Sequence, residues 1–257
     1  MGEMTVFKSN EFAILKDGGG ELKEAMQALA DTGMNLQPKD LLRIKTPSGG
    51  GTLWQVGNQL VKELVGAFVH FQPCSILWPS EDSKEGQLPV LKSLDGVVGE
   101  RVGPMTEAMA KEIEPYRIAG DPLNGTQYNV AEASGFPYSQ WGSGKNGRGK
   151  RMKDQRMVFL LRPEDPAPLY VLVQPGSLKV FDKWFKEIPL QEKVPWWRIV
   201  VGLSLVEDRN ADGTKYSRVV PRTVAHLDKS TSEQLRSTWG NVLKQAATAV
   251  DVGAPGD

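Results

Sequence analysis

Cysteine is almost absent from this chain of 257 residues: Cys74 stands alone. That excludes an intrachain disulfide and a cysteine-built zinc cage. Histidine is nearly as scarce, with only His70 and His226, so a histidine-rich metal site is not expected. No apolar run reaches the roughly 18–20 residues of a membrane-spanning helix, and the longest, near Val194 to Val206, is broken by Arg198 and Gly202. The N-terminal sequence lacks the basic-then-apolar order of a secretory leader. Net charge is missing too, because 31 Lys and Arg balance 31 Asp and Glu. The balance excludes a globally basic, histone-like protein and a globally acidic one, but it leaves room for a local basic patch. Together these absences fit a cytoplasmic protein with no membrane partner.

What is present organises into three parts. Residues 1–45 read as an accessory helical segment. Leu22, Met26 and Leu29 fall at helical spacing after the break at Gly18, Gly19 and Gly20, and Pro38 can open a second short helix through Leu41, Leu42 and Ile44. Residues 46–227 read as the core. Leu60 to Trp78 is rich in Val, Phe and Ile and reads as two strands or one bent strand; Met157 to Leu161 and Leu169 to Gln174 are further strand-like runs. Met105, Met109 and Ile113 mark a helix stopped by Pro115, and a second helix opens near Ser177. Trp196 to Asp208 and Thr214 to Val224 flank Asn210-Ala211-Asp212-Gly213, a hairpin signal. Residues 228–257 read as a helix with a capping box, Ser230 and Glu233, followed by a short tail. Strands with helices inserted between them predict an α+β fold, a small β-barrel or curled antiparallel sheet with helices at both ends.

One segment stands out chemically. Gly142 to Arg156 carries Lys145, Arg148, Lys150, Arg151, Lys153 and Arg156 against the single acid Asp154, a net charge of +5 within a neutral chain. Four glycines in it allow the backbone to follow a polyanion, and Tyr138 and Trp141 stand immediately before it. Cations beside aromatic rings are what single-stranded nucleic acid requires: the cations neutralise phosphates and the rings stack on unpaired bases. The segment is not a phosphate-binding P-loop, because Arg151 stands where the magnesium-binding hydroxyl would be. The glycine-rich run Pro47 to Trp54 is a second candidate, either bringing Trp54 against a ligand or linking two parts of the chain.

Catalytic motifs are lacking. The acidic pairs Glu81-Asp82 and Glu207-Asp208 sit in a loop and beside a turn, and no nucleophile-elbow, His-Glu-x-x-His or acid-rich metal motif occurs. The reading is therefore non-enzymatic, with no cofactor and no metal.

Several segments in fixed order carry a resemblance: RIKTPSGGGTLWQV, VKELVGAFVHFQP with ILWPSEDS, WGSGKNGRGKRMKDQRMVFLL, QPGSLKVFDKW and KYSRVV. The set, spanning Arg43 to Val224, resembles phage- and prophage-type single-stranded DNA-binding proteins of the oligonucleotide/oligosaccharide-binding (OB) fold. The resemblance implies single-stranded DNA binding in phage or mobile-element replication and recombination, in a bacterial host cell, alongside replication or recombination proteins. On that reading Lys145, Arg148, Lys150, Arg151, Lys153 and Arg156 track phosphates, while stacking draws on Trp54, Tyr138, Trp141 and Tyr216. RNA binding would use the same groups. Two departures stand out: the family's cysteines upstream of the basic segment are missing here, and the tail offers only Asp251 and Asp257 in place of an acidic partner-recruiting run. A metal-dependent nuclease, or a phage structural or interaction module, is the alternative from another class.

Overall fold

A computed structural model describes residues 6–8, 12, 24, 28, 31–32, 41–80, 87–119, 127–165 and 167–247. The described strands are β1 (Val6–Phe7), β2 (Arg43–Ile44), β3 (Trp54–Val56), β4 (Gln59–Val61), β5 (Glu63–Leu77), β6 (Leu91–Ser93), β7 (Val98–Arg101), β8 (Gln127–Asn129), β9 (Lys153–Leu161), β10 (Leu169–Val173), β11 (Ile199–Arg209) and β12 (Lys215–Leu227). Among the described residues three α-helices with full bounds join them: α1 (Glu107–Ile113), α2 (Pro175–Gln191) and α3 (Lys229–Ala247). The fold is α+β. Among the described residues no helix is long and apolar enough to cross a membrane.

The chain forms two compact units, one of the described residues up to Phe71 and from Met157 onward, the other of those within Gln72–Arg156. The unit boundaries thus fall inside β5 and β9, the second where the charged Lys153–Arg156 gives way to the apolar Met157–Leu161. In the first unit the strands run in the order β1-β12-β11-β5-β9-β10-β2. No ladder joins β1 to β2, so this sheet does not close into a barrel among the described residues. Alternation explains its packing. Ile199, Val201, Leu203 and Leu205 of β11 point to one face with Leu64, Phe68, Val158, Leu160, Val171 and Val173. Helix α2 covers that face with Phe181 and Ile188 and adds the rings of Trp184 and Phe185. Pro175 opens α2 at a position that needs no N–H donor, and Ser177 Oγ accepts from Val219 N at 2.9 Å.

The hairpin between β11 and β12 forms where its sequence places it. Asn210 Oδ1 accepts from the N–H groups of Asp212 and Thr214, and Gly213 takes φ +80°. Three expectations need correction. Arg43–Ile44 is a strand paired in parallel with β10, not part of a short helix, because β-branched Ile44 gains burial in the sheet. Trp196 and Trp197 lie in a 3₁₀ turn before β11, not in a strand; Trp196 packs on Phe68 and Trp197 lies under the Arg236 guanidinium at 4.4 Å. Helix α3 is capped by Asp228 rather than Ser230: Asp228 accepts from the N–H and the hydroxyl of Thr231, and Glu233 sits beside Lys229. Leu22, Met26, Leu29, Pro38, Glu81 and Asp82 lie outside the described residues.

The second unit is a meander. The end of β5 pairs with β6, β6 with β7 and β7 with β8, all antiparallel. Thr106 caps α1 through Met109 N, and the helix buries Met109 and Ile113 against Leu77, Leu91, Tyr128, Phe136 and Met152.

Candidate nucleic-acid interface

The basic segment is built on this second core. Phe136 is fully buried and anchors the entry, with the Tyr138 ring edge-on to it at 5.9 Å. The Tyr138 hydroxyl donates to Glu112 Oε2 at 2.5 Å. Burial, and then this bond to a carboxylate, push the phenol well above its usual range. Ser139 Oγ donates to Val130 O at 2.7 Å, fixing the turn to the meander.

From Tyr138 onward the backbone folds on itself. Met152 N donates to Tyr138 O at 2.8 Å and Arg151 N to Ser143 Oγ at 2.9 Å, so two cross-links clamp the stems of the loop. Further out, the N–H groups of Gly142 and Gly144 both reach Gly149 O, at 2.8 and 3.1 Å. The tip is a two-residue turn. Asn146 (φ +56°, ψ +31°) and Gly147 (φ +71°) take the left-handed conformations of a type I′ turn, closed by Arg148 N donating to Lys145 O at 3.1 Å. Gly144 must be glycine for a different reason: a Cβ there would lie 2.2 Å from Arg148 O. The glycines serve a folded loop, not a slack one.

The structure divides the six cations. Lys150 Nζ bonds Glu132 at 2.6 Å and Asp154 at 2.9 Å. Its burial pulls its pKa down, but the two carboxylates outweigh that and hold the ammonium above its usual range. Arg151 Nη2 donates to the carbonyls of Trp78 and Pro79, at 3.0 and 2.9 Å, and Lys153 Nζ donates to Lys150 O at 2.8 Å. Arg156 is half-buried, with Nη1 on Gln155 O at 3.1 Å. Lys145 and Arg148 are exposed. They occupy the first and last positions of the I′ turn, where side chains leave on the same face.

Trp141 has 78 % of its surface exposed, more than any other large apolar residue among those described. It sits at the mouth of the clamped loop, between Tyr138 and the Lys145–Arg148 turn. Trp54 and Tyr216 belong to the other unit. Trp54 is completely buried and its indole N–H donates to Leu203 O at 2.7 Å, so this ring is core and not a stacking face. Tyr216 is half-buried; its hydroxyl donates to Asp208 Oδ2 at 2.8 Å, and its ring lies against Gly176. The run Pro47 to Gly51 is likewise docked: Pro47 O accepts from Ser217 Oγ, and Gly50 fits against Glu207.

Sequence reasoning passed over Glu112 and Glu132, which no motif marks. It also passed over Asn146-Gly147, the strongest I′ signal in the segment, whose dipeptide alone specifies the turn. Comparison of the chain with protein-family models, curated proteins and solved structures gave no match.

Proposed function

We propose that the protein binds single-stranded DNA without sequence preference, and that the loop from Tyr138 to Arg156 is its contact surface. The observation that carries the reading is Trp141. A ring this exposed, held on a loop clamped by its own hydrogen bonds and followed by two exposed cations, supports stacking on an unpaired base while neighbouring phosphates are neutralised. Because every base has a π-face, such binding tolerates any sequence.

The reading agrees with what the family resemblance implies: a role in phage or mobile-element replication and recombination, in the cytoplasm of a bacterial host. It keeps the OB-like relationship as a proposal about descent and leaves binding independent of barrel closure, since the contact loop rises from the meander.

The test is titration with oligo-dT, read by tryptophan quenching, against oligo-rU and a duplex of matched length. Saturable quenching with clear preference for the single strand is expected. Equal affinity for duplex, or magnesium-dependent cleavage of the oligonucleotide, would overturn the reading.

A further inference from the structure

A second charged surface belongs to the first unit, on the solvent side of α2. The helix buries Phe181 and Ile188. At about 100° per residue, the opposite side carries Lys179, Lys183 and Lys186, all within about 40° of one line. All three are exposed, and the Lys183 side chain keeps 76 % of its surface. Lys179 and Lys186 make no hydrogen bond or ion pair among the described residues. Lys183 reaches Glu187 only at 3.9 Å, an exposed pair of the kind that contributes little. The acids of this stretch, Asp182 and Glu187, fall about 60° and 80° to either side of the Lys179 line, and both are half-buried. Three ammonium groups therefore stand along about 10 Å of helix with the acids on its flanks.

The row continues past the helix end. Lys193 follows the C-cap Glu192 with φ +55°, in the left-handed position that usually holds glycine. A lysine there carries backbone strain that glycine would avoid, and it keeps an exposed cation at the end of the row. Strain of this kind persists where function gains from the residue.

The chemistry of the row selects its partner. Every cation in it is lysine. A lysine ammonium is a point charge on a flexible stem, without the planar fork by which arginine holds one carboxylate or phosphate in a fixed geometry. Four such charges suit a polymer of regularly repeated phosphates better than a single acidic side chain. Phosphate contacts carry no sequence information, which agrees with binding that tolerates any sequence.

We propose that Lys179, Lys183, Lys186 and Lys193 form a second phosphate-tracking surface for single-stranded DNA, carried by a different unit from the Trp141 loop. The proposal rests on the single-stranded DNA reading. The loop supplies stacking and charge, and the α2 row supplies charge alone.

Oligo-dT titration of the full chain over a range of salt tests it. Lys179→Gln, Lys183→Gln and Lys186→Gln are combined, because glutamine and lysine have similar helix propensities. At about 0.7 in slope per phosphate contact, the triple variant should flatten the dependence of log affinity on log salt by about 2. With the salt-independent part unchanged, affinity at about 0.1 M salt should fall about 100-fold. Lys179→Gln alone should flatten the slope by about 0.7. The charge-matched control combines Lys62→Gln, Lys111→Gln and Lys229→Gln, three exposed lysines elsewhere, and should keep the parental slope. All of these variants should melt like the parent. A parental slope in the α2 triple, or equal flattening in the control, would refute the proposal and leave the loop assignment standing. So would binding to phosphatidylserine vesicles that the α2 triple loses while keeping oligo-dT, because the row would then serve a membrane surface. Failure of the parent to bind oligo-dT would refute the underlying reading, and this proposal with it.

Discussion

Replacing Lys145 and Arg148 together by alanine gives the sharpest test of the loop's chemistry. Both side chains are exposed, and the turn that carries them is closed by backbone bonds that alanine leaves intact. Each phosphate contact on single-stranded DNA adds about 0.7 to the slope of log affinity against log salt. Losing two contacts should therefore flatten the slope by about 1.4. If the salt-independent part of binding is unchanged, affinity at about 0.1 M salt falls by about 25-fold, or about 1.9 kcal/mol. At about 0.3 M the same variant should lose only about fivefold. The assay is oligo-dT quenching across that salt range, with thermal melts to verify the fold. Lys150→Met is the control. Its ammonium is already committed to Glu132 and Asp154, so it should lower stability and barely change the slope. A double variant that melts normally and keeps the parental slope would refute the assignment. So would a slope that responds to Lys150 and not to Lys145 and Arg148.

Trp141→Ala should weaken oligo-dT by roughly 1–3 kcal/mol with little change in salt slope, because stacking releases few ions; a stopped-salt titration separates the two effects. Gly144→Ala adds no charge but drives a Cβ against Arg148 O, so it should destabilise by about 1–3 kcal/mol and weaken DNA binding at constant net charge, as seen by melting and quenching together. Asp228→Ala removes the cap of α3 and should cost about 1 kcal/mol near neutral pH in urea melts. Burial alone would raise the Asp228 pKa, but the two bonds from Thr231, a bond from Ser230 N–H and the nearby Arg198 together outweigh it and hold it below the usual carboxylate value. That stabilisation is complete above the unfolded value near about 4 and is lost as pH falls through the lower folded value. The parent should accordingly lose more stability on acidification than the alanine variant does, and equal losses would contradict the cap.

The sequence was most informative where a local rule and the tertiary environment agree. Met109 and Ile113 recur at helical spacing because the helix has one face on the meander core, and Asn210 to Gly213 mark the hairpin because its turn needs their conformations. It was least informative where burial reverses a local cue. Trp54 follows three glycines and looks like a ring at a ligand loop, yet a bond partner 149 positions away draws it inside. Arg43–Ile44 looks like the end of a helix until β10, more than a hundred residues later, offers a strand to pair with. Ser230 and Glu233 satisfy a capping pattern, but Asp228 is the stronger acceptor and starts the helix earlier. The boundary in β9 coincides with a change from Lys153-Asp154-Gln155-Arg156 to Met157-Val158-Phe159, but a charged-to-apolar change within one strand reads as a strand leaving a loop, so sequence alone does not mark it as a unit boundary.

The charge of the basic segment shows the same limit from the other direction. Composition finds the right place but counts every cation as presented. At least four of the six are tied to the fold: Lys150 joins Glu132 to Asp154, Arg151 ties the loop base to the carbonyls after β5, Lys153 bonds the chain just before β9, and Arg156 bonds Gln155 O. Counting Glu132, the local excess falls from five to four. The most exposed of the six are Lys145 and Arg148, at the turn, and Trp141 precedes them. A rigid loop loses less conformational entropy when it binds than a flexible one would, so a few well-held groups can serve where composition alone would call for many. On the proposed reading, the cations that fix the loop and the cations that would meet the strand are different residues, separable by stability on one side and by salt slope on the other.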